Sequence, residues 1–416
     1  MVKTPNLDRL ARGGSYFRNF ITASPVCSPA RVSAFTGRYP KTHGVRINLD
    51  PIRDAEVLLP RLLKRHGYRT GMAGKLHLAE KDAAGLFEYQ QEAPGSQYAA
   101  YLKEKHPNRS LNEATRPELI KDPGFVWKVG ASVLPVEDFP THWIADRAID
   151  FIRDGGEQPW FCFASFWKPH SPFILPMPWA SKYSPRDVAL PDLPEEKATP
   201  PTALNKPRHY VTASQTEQLK RVRAAYYGAI SFVDEQIGRI LRELRRSGQW
   251  ENTIIVFTSD HGNSLGEGGR MFKETPYEGA VRVPMIVHYP KAIEPGTLVD
   301  RPFDTTAIMP TLLDLAGLEV PKGFESPSMR PWISGEETGS EGDAFTEMLF
   351  RTVRSERWKL TDPGDHPTWE PQLFDLESDR DEKNNLYGKP EAAAAQAELS
   401  AKLEEWYERK PPRVQG

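Results

Sequence analysis

The sequence predicts an α/β fold: a large, mostly parallel sheet sandwiched by helices, then a smaller C-terminal antiparallel sheet plus a helix. Three observations carry that reading. Apolar residues at helical spacing alternate with short apolar runs over most of the chain, the rhythm of helices crossing between parallel strands. Beyond Gly335 the pattern changes to short alternating runs suited to antiparallel strands. The 416 residues also exceed what one hydrophobic core usually fills. The expectation is a large domain over residues 1–335 and an α+β subdomain over 336–416.

The elements follow in order. A helix is predicted from Ser28 and Pro29, a good N-cap and first-turn pair, to Thr36 before Gly37. Asp54 to His66 carries Val57, Leu58, Leu62 and Leu63 and stops at Gly67, after which Tyr68 to Ala73 reads as a strand. Thr141 to Asp154 spaces Trp143, Ile144, Ala148, Phe151 and Ile152 helically, and Trp160 to Trp167 then supplies a buried strand. From Glu217 to Arg246 one apolar stripe runs from Leu219 to Leu244, and Ile254 to Phe257 follows as a central strand. Val283 to Tyr289 is another strand, before a helix that Asp304 caps and Gly317 ends. Short strands are expected at Ala344–Leu349, Arg354–Leu360 and Gln372–Leu376, with a closing helix from Glu391 to Lys410. Residues 92–140 and 169–207 are polar, rich in proline and without sustained periodicity, so they read as long loops.

Composition narrows the function. Lys and Arg total 54 against 56 Asp and Glu, a net charge of −2, which lacks the basic excess of a nucleic-acid binder. No apolar run approaches the roughly 18 residues of a membrane span, and the opening residues hold no signal core, so a cytoplasmic location is expected, or a periplasmic or secreted one if a leader precedes Met1. Two cysteines make neither a disulfide framework nor a thiolate cluster. Cys162, inside Phe161-Cys162-Phe163, fits a small buried hydrophobe; Cys27, among Ser, Pro and Arg, does not. Cys27 precedes a helix start, where unpaired amide hydrogens and the positive dipole end favour an anion, and Arg31 adds a fixed planar charge one turn in. Asp260 and His261 follow a strand, where open α/β sheets place ligand sites, and an adjacent Asp and His can offer oxygen and nitrogen to a divalent ion.

The run Cys27-x-Pro29-x-Arg31, continued by Thr36-Gly37-Arg38-Tyr39-Pro40, resembles the hallmark of the sulfatase family. Further similar segments are Thr4 to Leu10, Gly74-Lys75-Leu76-His77, Lys168-Pro169-His170, Ser259-Asp260-His261-Gly262, Phe272 to Glu278, Trp358-Lys359-Leu360 and Leu373 to Leu376, spread over nearly the whole chain. The resemblance implies a sulfuric ester hydrolase whose Cys27 is oxidised to formylglycine by a maturation enzyme. It implies a divalent ion, Ca²⁺ foremost with Mg²⁺ or Mn²⁺ as alternatives, held by Asp260, His261 and the residue at 27. Lys75 and Lys273 would contact the sulfate, His170 with Lys273 would give a proton to the departing oxygen, and His77 would hold and deprotonate the hydrated aldehyde. The substrate would be a small-molecule or glycan sulfate ester; a phosphonate or phosphate esterase with the same nucleophile, and a non-catalytic binding protein, are the alternatives. The family normally begins with a strand ending in paired metal ligands, whereas here only Met1-Val2-Lys3 precedes the Thr4 to Leu10 segment, so that strand is expected to be missing from the sequence.

Overall fold

The computed structural model describes residues 1–54, 56–107, 128–195, 210–366 and 369–412. Its parallel element is a three-stranded sheet in which Arg69–Gly74 lies between Tyr89–Glu92 and Trp160–Ser165, with Gly74 level with Glu92 on one side and Ser165 on the other. The helix Pro140–Arg153 leads into the Trp160 strand and packs on this sheet. That is the crossover that the alternation of periods in the sequence encodes. A second sheet runs in the order Thr297–Val299, Ser15–Phe17, Met285–His288, Ile255–Thr258. Its first pair is parallel and its other two pairs are antiparallel. The parallel-rich sandwich is therefore mixed at this side: the link from Thr258 to Met285 contains no crossover helix of the length parallel pairing needs.

The helix Thr216–Arg246 spans 31 residues and buries Leu219, Val222, Phe232, Val233, Ile237, Leu241 and Leu244. Its stripe packs with Leu7, Leu10, Ile152 and Ile286, so the first short helix, Pro5–Arg12, is tied to both the long helix and the second sheet. Asp304 caps the turn before the helix Ile308–Leu315 by accepting from the Thr306 amide. Among the described residues, regular elements lie where the sequence reads as loops: the α-helix Ser96–Lys105, which buries only Tyr98 and Leu102 and so carries little apolar periodicity, and the short strands Val129–Ala131 and Phe173–Leu175, which pair in parallel. The rest of those two expected loops falls partly on residues 108–127 and 196–209, outside the described residues.

Beyond Gly335, Ala344–Glu347, Arg351–Arg354, Trp358–Asp362 and Gln372–Asp375 form an antiparallel meander covered by the helix Ala393–Glu408. The stretch expected as one strand from Arg354 to Leu360 is two strands joined by a turn. Val353, Leu360, Leu373, Leu399, Leu403 and Trp406 pack with Ala23 and Tyr39 of the larger body, so the two parts share apolar core.

Candidate active site

Cys27 is the first residue of the helix Cys27–Thr36 and is 2% exposed. Its sulfur lies 2.8 Å from Lys273 Nζ, 3.4 Å from Lys75 Nζ and 3.2 Å from His261 Nε2. Burial alone would raise the thiol's proton affinity, but hydrogen bonds with His261 and His77 outweigh it and bring the pKa down to about 3. The unmodified Cys27 thiol is thus drawn toward its thiolate, at a helix N-terminus and beside two lysines. Cys162, by contrast, is pushed up to about 12 by burial.

The elements deliver these groups by their strand ends. Lys75 directly follows Arg69–Gly74, and its amide donates to the Ser165 carbonyl at 3.0 Å, tying two strand ends together. Asp260 and His261 follow Ile255–Thr258, and the Asp260 carbonyl accepts from Thr22 Oγ1. Arg31 stands one turn into the Cys27 helix. Its Nε donates to Asp260 Oδ2 at 3.0 Å, and its Nη1 donates to Ser165 Oγ at 2.9 Å and to the Lys75 carbonyl. Burial would raise the Asp260 carboxyl, but His261, Arg31, Lys75 and Lys273 hold it well below the usual carboxylate range.

Lys273 sits between Phe272 at φ 66° and Glu274 at φ 70°, two side-chain-bearing residues in the left-handed region. His77, at φ 60°, is held in the same way. Such conformations cost about 1–3 kcal/mol each and persist only where neighbours fix them. Here the Glu274 amide donates to the Pro25 carbonyl at 3.3 Å, and Ser28 Oγ donates to the His77 carbonyl at 2.7 Å, so both strained segments are bonded to the residues flanking Cys27. Asn48 supports the same turn by accepting the Ser28 amide at 3.0 Å.

His170 lies close enough to feel the charges of Lys273, Lys75 and Cys27. Its Nδ1 is 2.6 Å from the Ser171 carbonyl, which only accepts, so this nitrogen carries the proton. Burial, aided by the lysines, lowers its pKa to about 4, which leaves Nε2 bare at neutral pH. The amino group nearest the Cys27 sulfur is that of Lys273, at 2.8 Å. His77 reaches Cys27 with one ring nitrogen, while its Nδ1 is buried with no partner among the described residues.

Cys27, Asp260 and His261 each bring a ligand atom, and these atoms lie within 4.8 Å of one another, so the residues fit a divalent ion. His261 Nδ1 faces the Gly262 carbonyl at 2.8 Å, which fixes the ring and turns Nε2 toward the cluster, the usual support of a metal-binding imidazole. Lys273 Nζ lies 2.8 Å from the same Nε2, so a cationic group already stands beside these donors.

The structure thus brings Cys27, Arg31, Lys75, His77, His170, Asp260, His261 and Lys273 to one place. Thr22, Asn48 and Ser165 belong to the same network and are not singled out by the sequence; Ser28, expected as the N-cap, lies instead inside the helix, and its hydroxyl serves the His77 carbonyl. Ser165 is 134 residues from Arg31, a partnership that no local pattern announces; Asn48, 20 residues after Ser28, is visible only as a polar residue in a loop.

Fold and site together define a hydrolase of anionic esters, with Lys75, Asp260 and His261 just past the ends of sheet strands and Cys27 and Arg31 in the first turns of a helix. The Sulfatase family model matches residues 1–318, the model of the N-sulphoglucosamine sulphohydrolase C-terminal region matches residues 266–409, and the chain belongs to the sulfatase family. Members of this family generally use formylglycine and a divalent metal. The chain is 29% identical over 419 residues to the ulvan-active sulfatase of Formosa agariphila, covering 97% of this chain and 76% of that one. It is 29% identical over 424 residues to an arylsulfatase of Clostridium perfringens, covering 94% and 86%. Among solved structures, the phosphonate monoester hydrolase of Agrobacterium radiobacter superposes with a TM-score of 0.85 at 25% identity, covering 100% of this chain and 95% of that one. No helix among the described residues is long and apolar enough to cross a membrane.

Proposed function

We propose that the protein hydrolyses a sulfate monoester with an oxygen nucleophile generated at position 27. The observation that carries this reading is the convergence of Lys75 Nζ and Lys273 Nζ on the side chain at the N-terminus of the Cys27 helix, beside Asp260 and His261. A sulfate ester is anionic and gains charge on its oxygens in the transition state, so fixed donors and a positive field are what lower its barrier.

Formylglycine at position 27, made by a maturation enzyme acting on Cys27, would supply a hydrated-aldehyde oxygen as nucleophile. A divalent ion, Ca²⁺ before Mg²⁺ or Mn²⁺ on the oxygen-donor chemistry, would be held by Asp260, His261 and residue 27, and would neutralise charge in the site. The remaining work belongs to the chain's own groups. Lys75 and Lys273 bind the sulfuryl oxygens, and Lys273 protonates the departing alcohol oxygen. Arg31 acts one step away, orienting Asp260 and fixing the Lys75 carbonyl. His170 enters with Nε2 unprotonated; the incoming sulfate charge raises its proton affinity, so that a proton taken up from solvent on substrate binding lets Nε2 donate a hydrogen bond. His77, bonded to residue 27, holds the nucleophile's hydroxyl and takes its proton when sulfate is expelled.

A sulfated glycan or an aryl sulfate is the proposed substrate class, supported by the likeness to the ulvan-active sulfatase and the arylsulfatase. The likeness to the phosphonate monoester hydrolase favours a second reading, hydrolysis of a phosphonate or phosphate ester by the same groups. Rates on paired aryl substrates, one a sulfate monoester and one a phosphate diester, decide between them. A sulfate preference is expected; a marked phosphoryl preference overturns the first reading, and no turnover of either by the matured chain leaves a binding protein.

A further inference from the structure

The loop that follows the Trp160–Ser165 strand contains a charge that the proposed chemistry does not use. Lys168 is 4% exposed, and among the described residues no carboxylate pairs with it. Its Nζ donates to the His170 carbonyl at 3.2 Å and to the Pro172 carbonyl, both in the short loop that bears His170. The same nitrogen lies 5.1 Å from the centroid of the Trp167 ring, which stacks on His170 with centroids 5.7 Å apart and planes 22° apart. The His170 amide closes the turn by donating to the Trp167 carbonyl at 3.1 Å. One side chain thus grips the backbone of the loop on both sides of Ser171 and faces the ring on which His170 rests.

Stability gives the fold no reason to keep an ammonium there. A buried cation without a counter-charge is a cost, and burial lowers its pKa to about 7. Among the described residues, the hydrogen bonds it makes lie within the 168–172 stretch and join no distant parts of the chain. What they do is fix the direction in which the imidazole leaves the backbone, and with it the direction of Nε2.

We propose that Lys168 is a positioning residue, whose buried ammonium clamps the 167–172 turn so that His170 presents Nε2, the nitrogen not held by the Ser171 carbonyl, to the ester oxygen. This rests on the reading of His170 as a substrate-contacting group. It adds a residue that touches no reacting atom and acts through His170 alone.

The test uses the full, matured chain and an aryl sulfate, with Lys168→Met, Lys168→Arg, His170→Ala and the double variant Lys168→Met/His170→Ala. Lys168→Met is expected to fold, with a melting temperature at slightly acid pH no lower than that of the parent. Its kcat should fall by at least about ten-fold with KM changed by less than about three-fold, since the lost effect is on orientation and not on binding. Lys168→Arg should recover part of the loss. In the His170→Ala background the same Met substitution should change kcat by less than about two-fold, because two residues acting through one group are not additive. Full multiplication of the two single effects overturns the clamp while leaving His170 its role. A His170→Ala variant with parental kcat sinks both. Should Lys168→Met fail to fold, Lys168→Arg in the two backgrounds is judged by the same additivity criterion. Hydrogen exchange across residues 166–173 is the independent readout: faster exchange in the folded Lys168 variant is expected, and unchanged exchange contradicts the clamp.

Discussion

At the scale of single residues the site is a balance of charge. Three basic side chains, Arg31, Lys75 and Lys273, stand around the Asp260 carboxylate and the side chain at 27. Lys75 is itself disfavoured as a cation, its pKa lowered first by burial, and the charges on Cys27 and Asp260 work against that. Such a set is poised for an incoming anion. Lys273→Met should therefore leave folding intact and lower kcat by about 10²–10³-fold on an aryl sulfate, the usual loss for a preorganised transition-state donor; steady-state kinetics check it. Arg31→Met leaves Asp260 buried without its guanidinium, so denaturant unfolding should show a loss of about 3–5 kcal/mol together with lost activity. Most of these residues were legible in the sequence because their chemistry is local in the chain: Cys27 and Arg31 one helical turn apart, Asp260 next to His261. The proton on His170 was not legible. It depends on the Ser171 carbonyl and on burial, which only the folded loop creates.

At the scale of elements, the strands were legible where periodicity was strong. The Arg69, Trp160 and Ile255 strands and the long Thr216 helix fall within a residue or two of the boundaries their apolar patterns predict. The Ser96 helix was missed because two buried residues in ten give no stripe. The positions of strand ends depend on close packing that the sequence states only as a glycine. Gly74 has φ 110°, and a Cβ there would stand 1.9 Å from the Ser165 carbonyl oxygen. Gly74→Ala should push the two strand ends apart, displacing Lys75 and Ser165 together, and both activity and melting temperature should fall. A second element-scale support lies under Lys273. Lys359, 1% exposed in the C-terminal sheet, donates to the Pro276 carbonyl at 2.9 Å and pairs with Glu278 and Glu382, while Glu382 accepts the Glu278 amide at 2.7 Å. Lys359→Met leaves the buried Glu382 carboxylate without its ion pair, while Glu278 keeps Arg282 and Arg354; a loss of about 3–5 kcal/mol in denaturant unfolding and a lowered kcat are expected.

At the scale of the whole molecule, the C-terminal sheet works as part of the same body as the site. Besides the Lys359 cluster, the Glu347 amide donates to the Ala23 carbonyl at 3.0 Å and a Glu347 oxygen accepts the Lys41 amide. Burial pushes the Glu347 carboxyl up to about 7 from an ordinary 4.5. The folded chain then holds a proton that the unfolded chain releases, so stability is lost as pH rises from the unfolded value through the folded one. The loss is about 3 kcal/mol between about pH 4.5 and 7. Glu347→Gln keeps an acceptor for Lys41 and removes the titration, so its melting temperature should overtake the parent's above about pH 7; parallel melts at about pH 5 and 8 check this. The sequence pattern marked a change of architecture near Gly335, but it could not announce that Ala23 and Tyr39 belong to the C-terminal core, because that contact joins residues more than three hundred positions apart.

The most direct measurement on the central claim is mass analysis of the peptide that spans residue 27, taken from full-length protein produced beside the maturation enzyme. The account predicts an aldehyde and its hydrate where the sequence encodes a thiol. An intact thiol in all of the protein, under conditions that mature a known substrate of that enzyme, would contradict it.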